Sequence, residues 1–136
     1  MATTNIASTA RHLPYLEKGV LILSFFPTIV GLRILIEPQF ALKVLQFPTP
    51  SSAADRNLVY GLVRLFGARD LAIGVTAMAL WYYGHRKSLG AAILSGAILT
   101  VTDGIVSGQV IGKGQWVHWG FVPLNLGLGL GLLEWI

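Results

Sequence analysis

A bilayer interior accepts only chains whose backbone hydrogen bonds close internally, as helices or as closed barrels. Residues 19–36, 58–83, 88–111 and 116–136 of this chain form four long apolar stretches that suit the helical solution. About 20 mainly apolar residues are enough to cross the hydrocarbon. Within or beside those stretches lie seven ionisable side chains: Arg33, Glu37, Arg64, Arg69, Asp70, Asp103 and His118. A charge at the bilayer centre costs at least about 2.5–3.5 kcal/mol, so a purely structural bundle has little reason to carry so many.

Composition supports the same class. Only 12% of the 136 residues are charged and 54% are hydrophobic, whereas a soluble domain carries about 25% charged residues. The expected fold is all-α: an integral membrane four-helix bundle forming one domain over residues 1–136. Residues 40–47 are too short to span and suit a short interfacial helix between the first two spans. Residues 48–55, PTPSSAAD, form a turn-rich loop. Residues 1–9 are expected to form a loose tail, followed by an uncleaved signal anchor rather than a secretory signal. Basic residues Arg11, Lys18, Arg86 and Lys87 on one side outnumber Lys43, Arg56 and Lys113 on the other. That bias favours a multi-pass protein, expected in the endoplasmic reticulum, with both termini cytoplasmic.

Several function classes drop out. Cysteine is absent, which removes disulfides, thiolate catalysis and cysteine-ligated metal. The net charge of +4 is scattered and includes arginines inside the apolar segments, so no basic stripe for nucleic acid is present. His12 and His85 are expected on the side opposite His118, which leaves no metal site. No phosphate-cradling glycine pattern is present, so no cofactor is expected. Gly104, Gly108 and Gly112, and then Gly127, Gly129 and Gly131, suit close helix packing or a homo-oligomeric seam.

Depth and facing gather the polar groups. At about 1.5 Å per residue, Arg64, Asp103, His118 and Asn125 fall within roughly 15 Å of the face that carries the 38–56 loop, and Asp70 within roughly 20 Å. Thr100 and Asp103 share one helical stripe, and His118 and Asn125 another. The expected site is a cavity open to that face. Asp70, Asp103, Arg69 and His118 would carry the chemistry, and Arg33, Tyr60, Arg64, Thr100, Trp116 and Asn125 would bind substrate. Each has a plainer alternative. Arg33 and Glu37 fit an i,i+4 pair, Arg69 and Asp70 a structural ion pair, and His118 a solvated interfacial side chain. Asp103 is hardest to explain structurally, because no opposite charge lies within a turn of it.

Two carboxylates in unequal surroundings divide the roles of proton donor and base. Opening an epoxide needs both: one group protonates the ring oxygen, the other activates water or a substrate hydroxyl. Apolar walls would hold a lipophilic small molecule drawn from the membrane.

The runs GLR (residues 31–33), RLFGARDLAIG (64–74), TVTDGIVSG (100–108) and VHWG (117–120) resemble a family of small four-helix membrane proteins. That family is known mainly as a domain of unknown function, frequent in fungi and loosely similar to DoxX-like proteins. The resemblance covers residues 31–132. It extends to small fungal membrane proteins of the aurovertin and citreoviridin pathways, which open polyepoxides and form cyclic ethers. It implies an epoxide hydrolase or cyclase of polyketide or terpenoid secondary metabolism, with Arg69, Asp70, Asp103 and His118 as the positions to carry over. Limonene-type epoxide hydrolases use an Asp–Arg–Asp device on an unrelated soluble fold, an analogy of sites alone. The competing expectation is a non-enzymatic assembly or redox accessory of the DoxX type, with both aspartates fully paired and no open cavity.

Overall fold

The structure, a computed structural model, describes the backbone of residues 3–136 and the side chains of residues 12–136. Among the described residues it is all-helical. The elements are α1 (Thr3–Ile36), α2 (Pro38–Leu45), α3 (Ala53–Tyr82), α4 (Arg86–Ile111), α5 (Gln115–Trp119) and α6 (Val122–Leu132). The loose tail expected over residues 1–9 is replaced by helix from Thr3 onward, while residues 1–2 lie outside the described residues. Two helical segments, His12–Ile36 and Arg86–Ile111, are long and apolar enough to cross a membrane. Helix α3 has the length, but Arg64, Arg69 and Asp70 interrupt it.

Local chemistry sets the breaks. Pro38 opens α2, where its missing N–H is no loss. Gln46, with φ 58°, closes that helix in the left-handed region. Ser52 caps α3: its Oγ accepts from the Asp55 N–H at 3.0 Å and donates to Asp55 Oδ2 at 2.6 Å. Gly112 ends α4 at φ 69°, a conformation with little cost only for glycine. The fourth apolar stretch is not one helix. Gly120 and Phe121 interrupt it, and Pro123 sits in the first turn of α6, where it cannot donate back into α5.

Two helix pairs make the bundle: α1 packs most closely on α3, and α4 on α6. Both seams use glycine to bring backbones together. A Cβ on Gly31 would strike the Gly67 carbonyl and the Leu71 amide, and one on Gly74 would strike Thr28. Gly129 lies against Leu94 and the Gly90 carbonyl, and Gly131 lies against Leu16 of α1. The sequence expectation put packing at Gly104, Gly108 and Gly112, and at Gly127. Of these only Gly104 makes a close contact; Gly112 is the cap of α4, and a Cβ on Gly127 would meet nothing within 4 Å.

A dry core of Val20, Ala77, Leu89, Ile93 and Leu132 fills the half of the bundle nearest the α3–α4 turn. Arg86 and Glu134 bridge at 2.8 Å at that end. In the other half the two pairs part. Although α3 and α4 are joined by a tight turn, they pack less closely than consecutive antiparallel helices are expected to, and a cavity opens between the pairs. Outside, Ile22, Phe25, Ile29 and Leu32 on α1, Leu58, Leu62 and Leu65 on α3, and Ile98 and Ile105 on α4 are all exposed. So large an apolar exterior marks a surface made for lipid or for protein.

Candidate active site

The cavity measures about 350 Å³, and each of the six helices contributes to its wall. Most of that wall is apolar: Phe26, Pro27 and Val30 from α1, Phe40 and Val44 from α2, and Ile73 and Ala77 from α3. The polar lining includes Arg69 and Asp70 of α3, Thr100 and Asp103 of α4, His118 of α5 and Asn125 of α6.

Arg69 organises this polar patch. Its Nη1 donates to Asp103 Oδ1 at 3.0 Å and its Nη2 to Asp103 Oδ2 at 2.8 Å, a two-point fork across the gap between α3 and α4. The same guanidinium turns back along its own helix, with Nε at 3.2 Å and Nη2 at 3.0 Å from Asp70 Oδ1. Its plane lies over the Phe66 ring, 4.2 Å from the centroid. Phe66 is three residues earlier on α3, one turn away, so the helix itself supplies this support. Charged bidentate bonds of this kind are short and about twice as strong as neutral ones.

The two carboxylates are not equivalent. Both oxygens of Asp103 are committed to Arg69. On Asp70 only Oδ1 is engaged; Oδ2 accepts no hydrogen bond from the described residues. One guanidinium faces two carboxyl groups, so a single proton held between them makes the cluster neutral.

Helix α5 brings in His118. Trp119 lies directly against Gly104, which has no side chain to exclude it, and its Nε1 donates to the Val101 carbonyl at 3.2 Å. That contact pins the five-residue helix on α4 and leaves the half-buried His118 at the cavity wall. Asn125 is buried, at 8% exposure, and also reaches the cavity. Thr100 returns its hydroxyl to the Ala97 carbonyl at 2.9 Å, so it lines the wall already bonded.

Of the residues expected in the site, the structure gathers Arg69, Asp70, Thr100, Asp103, His118 and Asn125. It does not bring in Arg33, Tyr60, Arg64 or Trp116, none of which lines the cavity. Arg33 is exposed, pairs with Glu37 at 3.1 Å and stacks on Phe40. Arg64 also points outward, its Nε 3.4 Å from the Leu35 carbonyl. Trp116 is 74% exposed and meets Trp119 edge to face. Tyr60, half-buried near the start of α3, does not face the cavity either. Sequence reasoning passed over Phe66, Phe26 and Phe121, which looked like general apolar background. The i,i+3 spacing of Phe66 and Arg69 was the available signal. Among the described residues no cluster of three metal-binding side chains occurs.

Among curated proteins and among solved structures, nothing matches this chain. Residues 24–132 match the family described as Domain of unknown function (DUF4267), a span that includes Arg69, Asp70, Asp103 and His118. The chain belongs to that DUF4267 family.

Proposed function

We propose that this protein is a membrane-embedded acid–base enzyme that opens epoxides of a lipophilic polyketide or terpenoid. One observation carries the reading: Arg69 ties carboxyl groups from two helices together at one side of an otherwise apolar cavity. In this reading the chain is a multi-pass bundle of the endoplasmic reticulum with cytoplasmic termini. Its exposed apolar helix faces support that setting.

The inequality of the carboxylates suggests their roles. Asp70, with Oδ2 uncommitted, donates a proton to the epoxide oxygen as the ring carbon–oxygen bond breaks. Asp103 accepts the proton released by a water, or by a substrate hydroxyl, as the new carbon–oxygen bond forms. The product is a diol or a cyclic ether, and the proton returns from Asp103 to Asp70 through the cluster or His118. Arg69 holds both groups in place and balances their charge. General acid–base catalysis of this kind contributes about 10²–10⁴-fold. The apolar wall selects a hydrophobic substrate, in the manner of other small-molecule sites.

The test is to incubate membranes containing the protein with lipophilic epoxides and to analyse products by mass spectrometry. Diols or cyclic ethers that vanish with Asp103→Asn support the proposal; full activity in a folded Asp103→Asn protein ends it.

The complete engagement of Asp103 favours a second reading, in which the fork is a structural tie in a non-enzymatic accessory of the DoxX type. In that case Arg69→Met combined with Asp70→Leu and Asp103→Leu would leave the folded protein and its cellular role intact, since buried ion pairs are often replaceable by apolar residues.

A further inference from the structure

Beside the main cavity lies a second, of about 260 Å³, bounded by Gln46, Ser107, Ile111, Lys113 and Gly114. The two cavities share Val44, Leu45 and Val117 in their walls. Ser107 lies one helical turn beyond Asp103 on the same face of α4. It is buried, at 3% exposure, yet its hydroxyl makes no hydrogen bond with any described residue. Other helical hydroxyls here, those of Ser24, Thr28 and Thr102, return to their own helix at 2.7–2.8 Å. Among the described residues, the fully enclosed polar atoms without a partner are Arg86 Nε and Gln115 Oε1; the Ser107 oxygen is not one of them and keeps access to the chamber it lines, where ordered water can satisfy it. A water occupies about 30 Å³ of liquid, so the chamber has room for several. Lys113 and Gln46, both exposed, stand at its mouth.

We propose that this second chamber is an aqueous antechamber that supplies water to the Asp103 side of the cluster, with Ser107 positioning the last water before the shared wall. The inference rests on the epoxide-opening reading and sharpens it. Water enters from the polar loops and the lipophilic substrate occupies the apolar cavity, so the two reactants arrive from opposite sides of Asp103. Ser107 is a positioning residue, acting through water rather than on the substrate.

The absence of cysteine makes the test clean. Single variants Ser107→Cys, Lys113→Cys and Ile98→Cys are exposed in membranes to a small cationic methanethiosulfonate. Lys113→Cys marks the mouth. Ile98→Cys, on the apolar outer face of α4, reacts roughly 100-fold more slowly, because a charged reagent is excluded from hydrocarbon. Ser107→Cys is expected to react like Lys113→Cys. Reactivity as low as that of Ile98→Cys, with Lys113→Cys labelled, overturns the antechamber whether or not any epoxide is turned over. Should Ser107→Cys not reach the folded state, Ile111→Cys, which lines the second chamber and not the main cavity, carries the same test.

The delivery role is read separately. Ser107→Val is expected to lower kcat for diol formation by at least about tenfold with KM unchanged, and to spare cyclic-ether formation from substrates that carry their own hydroxyl. Equal losses in both reactions, or none, overturn it. Turnover of no epoxide by the wild-type protein, with Ser107→Cys labelled, would sink the enzymatic reading and leave the hydrated chamber standing.

Discussion

Arg69 on α3 grips Asp103 on α4 through two parallel bonds of 3.0 and 2.8 Å, across the gap where the two helix pairs part. The fork needs a planar donor with two N–H groups on one side, which lysine lacks. Arg69→Lys is therefore expected to keep the charge but lose the geometry. Stability in detergent should fall by about 1–3 kcal/mol, since the group is only partly buried. Thermal unfolding of the purified protein measures this. An unchanged midpoint would mean that the fork contributes nothing to holding the pairs together.

The two aspartates should separate in their effects. Both Asp70→Asn and Asp103→Asn are expected to lower epoxide turnover by about 10²–10⁴-fold. Asp103→Asn removes a carboxylate that holds Arg69 at both oxygens, so it should also destabilise more than Asp70→Asn, which loses contact at one oxygen only. Parallel unfolding and product assays test the order.

The α1–α3 seam offers a contrast between two glycines. Gly31→Ala places its Cβ against backbone atoms of Gly67 and Leu71, which cannot rotate aside. A loss of about 2–4 kcal/mol is expected, in line with overpacking at a rigid contact. Gly127→Ala meets open space and should be neutral or stabilising by up to about 1 kcal/mol through helix propensity. Equal effects of the two would remove the seam from the account.

Gly104→Ala should act at a distance of one helix. Its Cβ would occupy the space of the Trp119 ring, so α5 must lift and take His118 with it. Turnover is expected to fall by about tenfold or more, since general acid–base groups work only within hydrogen-bond reach. The Trp119 emission should shift as the ring leaves α4. Assigning that shift needs Trp116→Phe as background, because Trp116 meets Trp119 edge to face.

By the same logic, Arg33→Ala and Arg64→Ala should be nearly silent. Both side chains are exposed, and an exposed pair such as Arg33–Glu37 is worth about 0–1 kcal/mol. A loss of turnover in either, as large as that of Asp70→Asn, would mean that the cavity is not the working site.

The helical segments were legible because apolar runs report length directly. What blurred the fourth was proline: Pro123 permits a bent helix or a new one, and only the packing of Trp119 on Gly104 selects the latter. Asp103 stood out in the sequence because no opposite charge lies within a turn of it, whereas Asp70 also had a plain reading as an ion-pair partner of Arg69. Arginine was harder. Arg64 and Arg69 differ by five positions, about 140° around the helix at 100° per residue, and the sequence does not say which direction holds α4. The chain also conceals which glycines count. Gly31 looks like background and makes a backbone contact, whereas Gly108 and Gly112 look like a packing motif and do not.

The break after Trp119 has a mechanical consequence. Eleven residues of α6 rise only about 16 Å, against a hydrocarbon thickness of about 30 Å. In the proposed membrane setting α6 alone covers about half of that thickness and α5 must supply the rest, while α1, α3 and α4 are each long enough to cross as single helices. In that setting lipids would shorten or tilt around the break, a mismatch of the kind that sorts proteins toward thinner membranes. The dimple this creates would bring headgroups and water down toward His118, so acyl-chain length becomes a physical variable of the site itself.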